Sequence, residues 1–278
     1  MNADAERVKR VAGLCPATSD PPASGRGRTE PRRASPSGEP KGDAVAIPGD
    51  YQARAIHEGF VVQRFWHRRK IEVLQRVCPP APGSRVIDIG CGSGVIANHL
   101  ASIAASVDAV DANPSAIEYA RAHAARPNVR FHLGWAEDLA FADNTFDFAY
   151  CTEVIEHLQP PQIGRMMAHV RRILSPGGRL FVTTPNYRGL WPAIECVMDT
   201  LRLGPRLRHD QHVTRFTAER LRRIGRRAGL EEAALGCFCG LAPFASILSW
   251  RLAVCLSRIE DRLGSPLGNL LYAVWRKE

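Results

Sequence analysis

Glu153, Glu156 and His157 fall within five residues of one another, and a second imidazole, His212, follows far downstream. Two carboxylates and two histidines form a donor set for a divalent ion such as Mg²⁺, Mn²⁺ or Zn²⁺. Helical spacing would bring Glu153 close to Glu156 and His157. A histidine in such a set can instead move a proton, because an imidazole titrates near neutrality. A second group has different chemistry. Asp88 precedes the loop Gly90-Cys91-Gly92-Ser93-Gly94, and Asp111 ends the next apolar run. Alternating glycines permit positive φ and remove the Cβ atoms that would keep a nucleotide-like ligand away from the backbone. Asp111 follows Gly94 by about 17 residues, where a doubly wound fold places the carboxylate that accepts ribose hydroxyls.

These residues need a scaffold of alternating strands and helices. Val86 to Ile89 suits a buried parallel strand, and Val95 to Ala104 suits a helix directly after the glycines. The pattern predicts strands at 85–89, 107–110, 129–133, 146–151, 179–184, 231–239 and 270–276. It predicts helices at 114–125, 160–173, 217–228 and 242–263, with a loop over 185–213. A leading helix over 51–77 would cover the ligand. Asn113-Pro114 suits a helix start. Such alternation means a mostly parallel α/β sheet with its ligand at the strand carboxyl ends. Glu153, Glu156 and His157 follow the fourth strand and lie at that end.

The loop decides which nucleotide. A dinucleotide fingerprint needs its third glycine at position 95, where this chain has Val95. A Walker loop needs a lysine that is absent here. The form Asp88-x-Gly90-x-Gly92-x-Gly94 resembles motif I of the class I S-adenosylmethionine (SAM) methyltransferases. Trp135-Ala136-Glu137-Asp138-Leu139 followed by Phe146-Asp147 resembles a second family stretch, whose Ala-Glu pair lies at the adenine edge. Leu174-Ser175-Pro176-Gly177-Gly178 resembles the turn into the fifth strand. The resemblance implies a doubly wound, Rossmann-like, seven-stranded sheet whose last strand inserts antiparallel. It implies SAM held by Asp88, Gly90, Cys91, Gly92, Gly94, Asp111, Ala112, Ala136, Glu137 and Glu153.

Two subgroups carry the Glu153-x-x-Glu156-His157 segment and a later histidine. One is the ubiquinone-biosynthesis O-methyltransferases, similar over about residues 55 to 235. The other is the small-RNA 3′-terminal ribose methyltransferases, which use those residues as metal ligands. Methyl transfer asks the protein to align a nucleophile and remove its proton. His157 is therefore either the base or, with Glu153, Glu156 and His212, a ligand of a metal that acidifies the acceptor hydroxyl. The expected acceptor is small and quinone-like or lipid-linked. RNA 2′-O-methylation and non-catalytic SAM binding are the alternatives; no aromatic platform for stacked bases speaks for RNA.

Composition sets the frame. The chain has 278 residues, 45% of them hydrophobic, and a net charge of +9. Residues 1–48 are rich in Pro, Gly, Ser and Arg without apolar period and read as a disordered tail before a domain at 49–278. That domain divides into a core at 84–240 and a C-terminal helix and strand at 241–278. No apolar core follows the N-terminal charges, so no secretory signal is expected. Eight cysteines without paired spacing fit a reducing cytoplasm. Arginines cluster between Arg202 and Arg227, a basic face for phosphates, anionic lipid or RNA. The run from Leu241 to Leu256 is apolar apart from Arg251 and shorter than the ~20 residues of a membrane span. It suits a core helix or an amphipathic segment that touches a bilayer.

Overall fold

The computed structural model describes residues 47–200, 212–264 and 268–278, with residues 198 and 199 described by their backbone only. The expected tail over 1–48 therefore lies almost wholly outside the described residues. The strands are β1 (Arg85–Ile89), β2 (Ser106–Asp111), β3 (Val129–Leu133), β4 (Phe146–Thr152), β5 (Leu174–Pro185), β6 (Glu231–Phe238) and β7 (Leu270–Arg276). They form one sheet in the order β3-β2-β1-β4-β5-β7-β6. The first five run parallel, and β7 inserts antiparallel between β5 and β6. This is the doubly wound sheet expected.

β1 is central and buried on both faces, which is why its apolar run is continuous rather than alternating. Val86 joins Val107 and Ala109 in a core that takes Leu74, Leu100 and Ala120 from helices α2 (Val61–Val77), α3 (Val95–Leu100) and α4 (Pro114–His123). Ile87 and Ile89 point the other way. They pack with Leu180, Val182, Val170 of α5 (Pro160–Ile173) and Leu221 of α7 (Ala218–Arg227). Asn113 caps α4 by accepting the Ser115 N–H at 3.0 Å, with Pro114 following as its fixed φ favours.

Three expectations need correction. The leading helix is not continuous over 51–77: α1 (Tyr51–His57) stops before α2 begins. The Glu58 and Gly59 N–H groups both turn back to the Arg54 carbonyl at 2.8 and 2.9 Å, and Phe60 is extended. The expected loop at 185–213 contains a helix, α6 (Trp191–Thr200), which carries a buried glutamate, Glu195. The helical run over 242–263 is also divided, into α8 (Ala242–Ala245) and α9 (Trp250–Leu263). Ser249 is extended between them and accepts the Leu252 N–H, so it caps α9 instead of continuing α8. The seven described cysteines are all free thiols.

Candidate active site

The glycine loop is a backbone device. Gly90 and Cys91 donate their N–H groups to the Val110 carbonyl at 2.7 and 3.0 Å, tying the loop to β2. Gly90 sits at φ +74°, and a Cβ there would lie 2.2 Å from Val154 Cγ2. Gly94 sits at φ +79° against Ala124 and Phe131, directly before α3. No side chain fits the first position, and the second would strain. Gln52 of α1 reaches over Gly92. It shares a small cavity with Ile56, His67, Lys70, Ile71, Val95, Ile96 and Thr152. The broken leading helix thus lies over the loop.

Two carboxyl groups face this loop. Asp111 accepts the N–H groups of Gly92 at 2.7 Å and Asn113 at 2.8 Å. Burial pushes its carboxyl above the ordinary range against those bonds and that of Ala112. Asp88 is wholly buried, and neither oxygen has a partner of full hydrogen-bond geometry. Burial and the neighbouring Asp111 push it up to about 7, the Ala97 N–H opposing. Burial together with Asp88 and Asp111 raises the Cys91 thiol well above its usual value, so Cys91 contributes backbone rather than nucleophilic sulfur. Beyond β3, Glu137 Oε1 accepts Gln162 Nε2 at 2.6 Å, while its Oε2 is buried without a partner. Ala136 is half-buried beside it. Acceptors left unsatisfied around a Cβ-free cradle fit a ligand that brings donors and positive charge. SAM, with its ribose hydroxyls, ammonium and sulfonium, is such a ligand.

The second constellation is assembled from separate segments. Glu153 leaves β4 at φ +57°, an uncommon conformation for a non-glycine residue, with its N–H donated to the Thr183 carbonyl at 3.1 Å. A single 3₁₀ turn, Ile155–His157, follows. The Glu153 carboxylate accepts the Thr183 hydroxyl at 3.2 Å and lies 3.6 Å from the buried Lys70 ammonium. Glu156 is 1% exposed and accepts the Thr184 hydroxyl at 3.0 Å. Burial and the nearby Glu153 raise its carboxyl well above the ordinary range; Thr184 and Lys70 act against that.

His212 belongs to the segment that follows α6 in the chain. The Thr214 N–H binds the Glu156 carbonyl at 2.9 Å, and the Thr214 hydroxyl binds the Leu158 carbonyl at 2.7 Å. These bonds fix the downstream segment against the turn. The rings of His157 and His212 stand 5.3 Å apart. Ligand-capable atoms of Glu156, His157 and His212 all lie within 4.8 Å of one another. Glu153 stays outside that trio and faces Lys70 instead. The Nδ1 of His212 lies 3.0 Å from both Glu195 Oε1 and the Tyr187 hydroxyl, and that hydroxyl donates to Glu195 at 2.9 Å. Burial and Glu195 push the Tyr187 phenol above its usual range, so it remains protonated. A neutral ring with its proton on Nδ1, toward Glu195, would present the lone pair on its other nitrogen.

Sequence reasoning missed Lys70, Tyr187 and Glu195. Lys70 had a signal, being one of four lysines in a chain whose cations are otherwise arginine. Glu195 had none, since nothing local ties it to His212. Of the basic cluster, Arg202, Arg206, Arg208 and His209 lie outside the described residues. Arg215 covers the Tyr187 ring, Arg220 covers Phe216, Arg222 pairs with Glu232, and Arg223 and Arg226 pair with Glu219.

The family model described as a methyltransferase domain matches residues 62–234, more than half of the chain. The chain is a class I SAM-dependent methyltransferase. A curated relative from Thiobacillus denitrificans, a ubiquinone biosynthesis O-methyltransferase, is 35% identical over 56% of this chain and 68% of its own length. A namesake from Mesorhizobium japonicum is 38% identical over 49% of this chain and 55% of its own. A solved S-adenosylmethionine-dependent methyltransferase from Mesorhizobium loti shares the fold, with TM-score 0.55 at 19% identity, over 74% of this methyltransferase and 96% of that chain. The curated alignments thus span about half to two thirds of the relatives' lengths.

Proposed function

We propose that this methyltransferase moves the SAM methyl group to a hydroxyl of a small, quinone-like or lipid-linked acceptor. The observation that carries the reading is the convergence of Glu156, His157 and His212 within 4.8 Å at the carboxyl end of the sheet. The names of the curated relatives support the acceptor class. Asp111 takes the ribose hydroxyls, and Glu137 with Ala136 borders the adenine. Asp88 and the glycine backbone hold the remainder of the cofactor. SAM supplies an already activated methyl on its sulfonium. As the acceptor oxygen bonds to carbon, the S–CH₃ bond breaks and its electron pair returns to sulfur. The hydroxyl proton passes to His157, an imidazole suited to proton transfer near neutrality. Glu195 fixes the tautomer and orientation of His212, which in turn packs against His157.

The same trio fits a divalent cation. A carboxylate kept costly by burial is relieved by positive charge, and a ring whose second nitrogen is held by Glu195 is built as metal ligands usually are. Bound Mg²⁺, Mn²⁺ or Zn²⁺ would lower the pKa of an acceptor hydroxyl. Glu156, His157 and His212 would hold it, with Glu153 adjacent.

Turnover of a soluble catechol acceptor by the wild type and His157→Ala, with and without EDTA, tests the reading. The expected loss in kcat for His157→Ala is about 100-fold or more, with S-adenosylhomocysteine affinity kept. Undiminished turnover in that variant sinks the assignment. Inhibition by EDTA that added metal reverses places the cation in the site.

A further inference from the structure

The segment 241–263 lies beyond the family-matched residues and presents an unusual face. α9 turns Ala253 and Ser257 inward. Its acids turn inward too. Glu260 accepts the backbone N–H groups of Gly240, Leu241 and Ala242 at 3.1, 2.6 and 3.0 Å. Asp261 takes Arg69 at 2.8 Å and also pairs with Arg76. The outward side then has two neighbouring stripes at helical spacing, Arg251, Arg258 and Arg262 beside Leu252, Ile259 and Leu263. All six are exposed, Leu263 at 76%. The preceding turns project Leu241, Phe244, Ile247 and Leu248, the last 82% exposed. Trp250 sits half-buried at the junction, edge-on to Phe65 of α2 with ring centres 5.0 Å apart.

We infer that this face docks on an anionic lipid bilayer. Its outward charge is purely cationic because both acids of α9 are consumed internally, and its apolar side chains adjoin those cations. A helix lying in a bilayer interface has this layout: leucines enter the acyl boundary while guanidinium groups meet phosphates. A second copy of the chain is a poor occupant, because a two-fold contact through this face would set arginines against arginines. No described helix is long and apolar enough to cross a membrane, so the contact is peripheral. The face joins the catalytic side through α2. That helix meets Trp250 and Asp261 with Phe65 and Arg69, and carries Lys70 next to Glu153. The bilayer therefore lies one helix away from the acceptor cluster.

Cosedimentation of the full chain with vesicles of phosphatidylcholine alone, or with phosphatidylglycerol added, tests the docking. Three charge-altering variants are compared: Ile247→Glu/Leu248→Glu, Arg258→Glu/Arg262→Glu and, on the separate α7 surface, Arg223→Glu/Arg226→Glu. Retained S-adenosylhomocysteine binding certifies the fold of each. The expected result is binding that needs phosphatidylglycerol and falls at least tenfold in the first two variants but less than threefold in the third. Equal binding by the patch variants and wild type overturns the proposal, as does no binding of the wild type to anionic vesicles. A dimer in light scattering that Ile247→Glu/Leu248→Glu dissolves, without vesicle binding, assigns the face to a second copy instead.

Discussion

In the proposed function, the cofactor side and the acceptor side of this site are built by opposite means. The cofactor side is largely backbone: three glycines at positive φ and two strand-end carboxyls between Asp88 and Asp111, with Ala136 and Glu137 beyond β3. The acceptor side is side chain. Glu156 and His157, Tyr187 and Glu195, and His212 come from three segments and meet only after the sheet is folded. A backbone cradle grips a constant ligand in a fixed way. A side-chain cluster stitched from distant loops can change with the acceptor. The two sides should therefore fail differently when altered, one in cofactor affinity and the other in turnover.

The largest expected effect is on the acceptor side. His212→Ala removes one imidazole of the trio and leaves Glu195 buried with only Tyr187. We expect kcat to fall by roughly 100- to 1000-fold. The S-adenosylhomocysteine Kd from calorimetry should stay within about twofold, since none of the proposed cofactor residues is altered. A parallel loss of cofactor affinity would mean that the two sides are not separable. Asp111→Asn is the converse. It replaces the acceptor of the Gly92 and Asn113 N–H groups, which in the proposed function also takes the ribose hydroxyls. Losing charge-assisted bonds of this kind costs about 1.5–3 kcal/mol, so Kd should rise roughly 10- to 100-fold. The kcat at saturating SAM should change little, and a kcat collapse would contradict the division.

The same contrast explains what was legible in the sequence. The strand–glycine–helix unit is contiguous, its residue types are dictated by φ and by close approach, and it was placed correctly down to Gly94. β3 and α5 fall on their expected residues because each has a clean apolar period between turn signals, and β7 because it is a continuous apolar run. α6 was read as loop. Pro192 next to Trp191 signals a break, although a proline in a helix's first turn is permitted there. With α6 goes Glu195, whose role depends on a tertiary contact with His212, 17 residues on. The helix over 51–77 was too long for a related reason. Its apolar pattern continues through Glu58-Gly59-Phe60, while the hydrogen bonds back to Arg54 end the first helix there.

Cofactor-side chemistry should also leave a signature in stability. Asp88 is held at about 7 in the folded chain, against an ordinary carboxyl value of 3.8. Between those values the folded state keeps a proton that the unfolded chain has released. Stability from this group is therefore complete below about pH 4, falls as pH rises toward about 7, and is level above. The slope from one such proton is at most about 1.4 kcal/mol per pH unit. Glu156 and Asp111 are shifted in the same direction, so the informative quantity is a difference between proteins. Asp88→Asn should remove its share, and its urea midpoint should gain on the wild type between pH 5 and pH 7. Parallel midpoints across that range would show that the buried carboxyl is not the source.

The smallest expected effect sharpens the acceptor side. The Tyr187 hydroxyl bridges Glu195 and the Nδ1 of His212, but Glu195 also meets that nitrogen directly at 3.0 Å. Tyr187→Phe leaves the direct contact in place, so the ring keeps its tautomer. Both contacts of the hydroxyl are lost and only the direct one of the three remains, so we expect a change of about 1 kcal/mol, or roughly fivefold in kcat. Glu195→Gln should cost more than Tyr187→Phe, because a neutral amide oxygen stabilises a proton on Nδ1 less than a carboxylate does. If Tyr187→Phe proves as damaging as His212→Ala, the phenol cannot be a support behind the imidazole. It would have to touch the acceptor itself, and the acceptor cluster would extend to Tyr187.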